Sequence, residues 1–248
     1  MKKILFVATL LAMVLSLSAQ RQMYVWQDGV KTTYEVANVD SITFSKVENP
    51  DPETDNHEYV DLGLSVKWAT CNVGASKPEE YGDYFAWGET QAKSTYNWST
   101  YKYCNGTYDS MTKYCTDSYF GTVDNKTTLE FTDDVAHVNW GGSWRMPTYE
   151  EQNELRNTNN CTWEWTTQNG VKGYKVTSKK NGNSIFLPAA GYRYNSDLND
   201  PSSSGYYWSS SPIPNGSNYA YYLYFNSSNV DPANSNLRRF GFSARAVQ

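Results

Sequence analysis

Short runs of alternating apolar and polar residues, broken by turn residues, dominate the chain after about residue 58. Residues 162–166, 173–178, 184–187, 206–209, 219–225 and 240–247 read as strands. Residues 64–69 and 83–87 read as two earlier ones. Gln168-Asn169-Gly170 and Asn181-Gly182 supply turns between them. Helical signals are few. Thr132 is a candidate cap, with Asp133 and Asp134 in the first turn and Gly141-Gly142 as the stop. Thr148 with Glu151 forms a capping box, and residues 149–156 continue as a helix. The pattern predicts an α+β fold with strands dominant.

The N-terminal part is patterned differently. Lys2 and Lys3 precede an apolar run over residues 4–17, followed by Ser18 and Ala19. This layout predicts a signal peptide over residues 1–19, hence export to the cell surface or extracellular space, with the periplasm as the other destination. Residues 20–46 predict a small β module: residues 23–26 alternate, Asp28-Gly29 marks a hairpin turn, and residues 34–36 and 42–44 are strand-like. Residues 47–57 are acidic and carry Pro50 and Pro52, the composition of a linker. The main domain is then 58–248. No further segment is apolar enough to be a transmembrane helix.

Composition narrows the function. The 248 residues carry a formal charge of −5 and no basic block, which argues against nucleic acid as a partner. His57 and His137 are the two histidines, too few for a three-His metal site. Export permits disulfides, and the four cysteines, Cys71, Cys104, Cys115 and Cys161, allow three full pairings. The matching contexts of Cys104 and Cys115 favour a short loop bridge between those two. No CxxC pair suggests zinc or redox chemistry.

Catalytic signals are weak. Glu150, Glu151 and Glu154 sit on a capped helix, where first-turn carboxylates are favoured by the dipole. Ser209, Ser210 and Ser211 lack a nucleophile-elbow setting. His137 has no evident partner, and Asp51, Asp55 and Asp61 lack EF-hand spacing. No metal, cofactor or catalytic residue is expected.

The tail is distinctive. Residues 191–248 contain no Lys, Glu or Met, and Asn, Ser and Tyr make up about half of them. These are residues that paratopes favour: Tyr offers rigid amphipathic area, and the small polar side chains adapt their hydrogen bonds. Along residues 219–226, alternation assigns Tyr221, Leu223 and Phe225 to a core-facing side. Tyr222, Tyr224 and Asn226 fall on a solvent-facing side.

Several blocks carry a family resemblance. They are residues 59–74 (Tyr-Val-Asp-Leu-Gly-Leu-Ser-Val-Lys-Trp-Ala-Thr-Cys-Asn-Val-Gly), 81–89, 139–148 (Asn-Trp-Gly-Gly-Ser-Trp-Arg-Met-Pro-Thr), 183–192 and 205–211. In this order they resemble the Fibrobacter succinogenes major paralogous domain of secreted Bacteroidetes proteins. The resemblance covers residues 58–248 and implies a C-type-lectin-like fold related to that of the formylglycine-generating enzyme. The enzyme's cysteines lie late in its domain, whereas here no Cys follows Cys161. That departure disfavours the enzymatic branch.

The tail also resembles the variable region of proteins diversified by retroelements that mutate template adenines. That resemblance implies a variable ligand-binding region over residues 191–248. It places the ligand face on Tyr194, Asp197, Asn199, Asp200, Tyr219, Tyr222, Tyr224, Asn234, Asn236, Leu237, Arg239 and Phe240. Gly205, Tyr207, Trp208, Ser209, Phe242 and Arg245 would be scaffold. The expected partner is a protein, glycan or phage ligand bound by a secreted or surface-associated protein. A fixed-specificity glycan-binding or adhesin module is the alternative, and a formylglycine-generating-type enzyme the third.

Overall fold

The computed structural model describes residues 22–27, 30–35 and 57–248. The signal-peptide segment, nearly all of the expected linker and the strand-like residues 42–44 lie outside them. The chain divides into two compact units, Met1–Glu48 and Asn49–Gln248. In the first, β1 (Gln22–Gln27) pairs antiparallel with β2 (Val30–Glu35), in register from Gln22 opposite Glu35 to Gln27 opposite Val30. The exposed Lys31 ammonium lies 3.6 Å from the centre of the Tyr24 ring.

The second unit is rich in antiparallel strands. β3 (Tyr59–Val60) pairs with β4 (Trp68–Ala69). β5 (Cys161–Gln168), β6 (Val171–Ser178) and β7 (Ser184–Pro188) form a three-stranded meander. Asn169 and Gly170 both have positive φ, 47° and 85°, the backbone that a two-residue hairpin turn needs. β8 (Tyr192–Tyr194) and β9 (Asp197–Asn199) make a short hairpin. β10 (Ser204–Pro212), β11 (Tyr219–Asn226) and β12 (Asn229–Leu237) make a second three-stranded sheet. Among the described residues the α-helices are α1 (Val135–Trp140) and α2 (Tyr149–Arg156).

The capping box of α2 forms as expected. Thr148 Oγ1 accepts from the Glu151 amide, and Glu151 accepts from the Thr148 amide at 2.8 Å. The start of α1 is corrected: its cap is Asp134, not Thr132. The Asp134 carboxylate accepts from the amides of Ala136, His137 and Met146. Residues 131–133 form a single 3₁₀ turn instead, so Thr132 precedes the first α-helical turn.

Residues 240–247 are extended but form no continuous strand, because their ladder bonds go to different partners. Phe242 exchanges backbone hydrogen bonds with Phe85, and Val247 does so with Arg145. Ala244 and Ala246 accept from Val73 and Ala69, while Ser243 bridges Tyr206 and Trp208. The segment thus stitches the beginning of the unit to β10. Likewise, of residues 83–87 only Phe85 reaches a bridge.

The sheet β10–β11–β12 separates two hydrophobic cores. One contains Trp68, Leu155, Tyr174, Val176, Leu187, Tyr207, Leu223 and Phe225. The other contains Phe85, Trp87, Trp144, Trp208, Tyr222 and Phe242. Gly205 is required where β10 crosses Phe225, since a Cβ there would lie 2.1 Å from the ring. Two arginines are buried without carboxylate partners. Arg245 donates to Asn72 Oδ1, Ala69 O and Phe186 O, each at 2.9 Å. Arg238 donates to Tyr219 O and Tyr114 O, and its guanidinium lies 4.4 Å from the centre of the Trp87 ring. Carbonyl oxygens of the backbone and of Asn72 thus offset much of the cost of burying these charges, although Arg238 Nη2 is left without a partner. The expected scaffold residues Gly205, Tyr207, Trp208, Ser209, Phe242 and Arg245 are all buried.

Candidate ligand-binding face

The β8–β9 hairpin turns at Asn195, whose φ is 50°. Tyr96 and Asn195 exchange backbone hydrogen bonds at 2.9 and 3.0 Å, as do Arg193 and Gly241 at 2.8 and 3.0 Å. These ties bring three distant segments together. Trp98 comes from the 3₁₀ turn Trp98–Thr100, Tyr194 from β8, and Arg239 and Phe240 from the segment after β12. The Arg239 guanidinium lies 4.5 Å from the centre of the Phe240 ring, 4.8 Å from Tyr194 and 5.6 Å from Trp98.

A second group of rings continues from the first. Tyr192 lies 5.7 Å from Phe240 and 4.8 Å from Tyr206. Tyr206 in turn packs on Tyr224 at 5.2 Å, on Phe242 at 5.2 Å and on Tyr222 at 5.8 Å. Its hydroxyl donates to Asp200 Oδ2 at 3.1 Å. Burial, and then the Asp200 charge, push the Tyr206 phenol well above its ordinary value, so it stays a neutral donor. The Tyr224 hydroxyl accepts from Asn226 Nδ2 at 2.9 Å. A polar strip borders these rings: Asn234 stands opposite Tyr222, and its Nδ2 donates to Asp231 Oδ2 at 3.1 Å.

Nine of the expected ligand residues fall on this side: Tyr194, Asp197, Asn199, Asp200, Tyr224, Asn234, Asn236, Arg239 and Phe240. Three do not present themselves there. Tyr222 is only 7% exposed and packs on Phe242 at 4.9 Å, so its ring belongs to the core. Burial pushes its phenol up to about 12. The expectation that Tyr222 faces solvent is corrected: both faces of β11 are covered at that point. Tyr219 and Leu237 stand opposite each other on the other side of the sheet, the side of Tyr221, which packs on Tyr149 of α2 at 4.4 Å. The pleat separates them from Tyr224.

Tyr192, Tyr206 and Trp98 belong to the face but escape the sequence pattern. Tyr206 was within reach. With Tyr207 inward, strand parity sends Tyr206 to the opposite face. Trp98 joins through long-range ties such as the Tyr96–Asn195 pairing, which no local pattern announces.

Most of the remaining candidate groups have structural roles, and Glu150 is exposed. Glu151 pairs with Arg145 at 2.6 Å, and Glu154 accepts from the amide and hydroxyl of Ser65. Ser209 Oγ donates to Tyr221 O, and Ser211 Oγ accepts from the Tyr149 amide. His137 Nδ1 lies 3.3 Å from Trp144 O. Asp61 accepts from the Gly63 amide at 2.6 Å, and Asp51 and Asp55 lie outside the described residues. Among the described residues no group of three or more His, Cys, Asp or Glu side chains could hold a metal ion. No helix among them is long and apolar enough to cross a membrane.

The expected Cys104–Cys115 bridge is absent. All four cysteines are free, and these two thiols serve different backbone carbonyls, Trp98 O at 3.1 Å and Asp117 O at 3.2 Å. Burial pushes the Cys71 and Cys104 thiols up, and that of Cys161 to about 11.

A family model described as a domain of unknown function (DUF8237) matches residues 163–247, from β5 through the C-terminal segment. No curated protein and no solved structure matches the chain.

Proposed function

We propose that the protein is a secreted or surface-displayed binding protein whose C-terminal face recognises a protein, glycan or phage ligand. One observation carries this reading. Tyr194, Tyr224, Arg239 and Phe240 lie along one side on short, hydrogen-bonded elements, while Phe225 and Phe242 of the same elements and Tyr207 and Trp208 of the adjoining β10 are buried. Rigid aromatic anchors with adaptable amides beside them suit recognition rather than turnover. The C-type-lectin-like fold implied by the sequence blocks accords with the same use, and so does export by a signal peptide. Thiol chemistry of the formylglycine-generating type is disfavoured, because burial suppresses the Cys71 and Cys161 thiolates that a nucleophile requires.

A second reading, a fixed-specificity glycan-binding or adhesin module, is favoured by Tyr222. A residue packed on Phe242 and Trp208 in the core tolerates little replacement, which sits poorly with free variation at that position. Screening the immobilised full chain against a glycan array and a pool of surface-exposed proteins tests the shared claim of ligand binding. Comparing the tails of near-identical siblings separates the two readings. Substitutions concentrated at Tyr194, Asn234, Asn236 and Arg239 indicate diversification, and substitutions scattered through the domain indicate a fixed module.

A further inference from the structure

Arg239 differs from the other arginines of the tail. Arg238 and Arg245 are buried and donate to carbonyl oxygens, although Arg238 Nη2 has no partner of its own, and Arg193 Nη1 donates to Ser196 O at 3.2 Å. Arg239 is half-buried among three aromatic rings, and its Nε is out of contact with water and has no hydrogen-bond partner. Among the described residues no carboxylate lies within ion-pairing distance of it. A cation partly withdrawn from water and left without a counter-charge is an unfavourable arrangement, and a bound anion would relieve it. Nε is closed off by the protein, so the two Nη atoms form the planar fork that can meet a carboxylate.

The surroundings narrow the ligand further. Trp98 and Tyr194 are partly exposed beside the cation, aromatic surface of the kind that packs against the C–H face of a sugar. Hydroxyl-binding groups flank them. Asn97 caps the turn that carries Trp98 and lies 3.5 Å from Asn195 Oδ1 through its Nδ2, and Asp197 stands opposite Tyr194 in the hairpin. Asp197 and Asp200 at the rim, with the net charge of −5, repel densely charged polyanions. They leave room for one locally neutralised charge.

We propose that Arg239, Trp98 and Tyr194 form a subsite for a carboxylate-bearing sugar residue of a glycan. The proposal rests on the reading of this side as a binding face and names its ligand class.

The test is titration of the full chain, by calorimetry and Trp fluorescence, with two matched pairs of probes. These are a galacturonate trisaccharide with its methyl ester, and sialyllactose with lactose. A sulfated lactose and an acidic peptide complete the set. At least one acid should bind about tenfold or more tightly than its neutral partner, as expected for charge-assisted hydrogen bonds. Arg239→Gln should remove that preference with an unchanged near-UV circular dichroism spectrum. The wild-type preference is read within one protein, so it stands independently of how the variant folds. Equal binding of the acidic and neutral partners, binding of neither, or an unaltered preference in Arg239→Gln would overturn the proposal. So would tighter binding of the peptide or the sulfated sugar. If neutral glycans bind and Tyr224→Ala abolishes that binding, the face remains a binding face and only the acidic subsite falls.

Discussion

Tyr222 and Leu223, neighbours on β11, are buried in opposite hydrophobic cores. Tyr222 packs on Phe242 and Trp208, and Leu223 sits on the side of Tyr207 and Phe225. The central strand therefore holds the domain together from both faces. Leu223→Ala should cost roughly 2–5 kcal/mol and Tyr222→Ala roughly 3–5 kcal/mol. Tyr222→Phe should cost no more than about 1.5 kcal/mol, the worth of one hydroxyl hydrogen bond. Chemical denaturation of the three variants checks this, and a near-neutral Tyr222→Ala would place that ring at the surface.

Arg245 serves three acceptors on two distant segments, Ala69 and Asn72 on one and Phe186 on the other. Arg245→Met fills part of the volume but leaves those acceptors buried and unpaired. A loss of about 3 kcal/mol or more is expected, since each orphaned group costs about 1–3 kcal/mol. Arg245→Lys should not restore the wild-type value, because an ammonium cannot reproduce the planar fork. Thermal melts of both variants provide the measurement.

The capping box of α2 makes part of the stability pH-dependent. Burial raises the Glu151 pKa, but the hydrogen bonds from Arg145 and the Thr148 amide outweigh it, and the net value lies below normal. A carboxylate with a depressed folded pKa stabilises above its unfolded value, about 4.3, and loses that contribution as pH falls through the folded value. Asp134 has the opposite sign: burial raises its pKa, so its contribution is present in acid and lost as pH rises through the folded value. Glu151→Gln should therefore be less stable than wild type at neutral pH. Its stability should fall less steeply than wild type below about pH 4. Parallel slopes in urea titrations of the two proteins over that range would contradict the assignment.

Thiol reactivity separates a bridged from an unbridged chain. With all cysteines free and only Cys104 part-exposed, a chromogenic disulfide reagent should modify that thiol first in the native protein. After unfolding in guanidinium all four should react. Two reactive thiols after unfolding would reveal a disulfide.

Much of the sheet structure was legible because its signals are local. Asn169-Gly170 fixes one hairpin, Thr148 and Glu151 fix the start of α2, alternation marks β5, β6 and β11, and a short apolar run marks β7. β12 was not legible: Asn229–Leu237 is largely polar and contains Pro232, with no apolar period to read. It forms because Asn226 Oδ1 accepts from the amides of Ser228 and Asn229, closing the turn that returns the chain beside β11. Tyr222 was misplaced for a related reason. A tyrosine satisfies a core or a surface equally well, so period two assigns the two faces without saying which is covered. Nor could Cys104 and Cys115 be separated by sequence, because their contexts match while their acceptors differ.

The most direct measurement of the central claim compares ligand binding by three full-length proteins on one glycan and surface-protein array. They are the wild type, Tyr194→Ala/Tyr224→Ala, and a control, Tyr108→Ala/Tyr119→Ala, which removes two exposed tyrosines elsewhere. Wild type and control should bind the same ligands. The Tyr194→Ala/Tyr224→Ala protein should lose at least about tenfold in affinity, as for truncated aromatic anchors, while keeping a native far-UV spectrum and a cooperative thermal melt. Undiminished binding by that protein, with loss in the control, would contradict it.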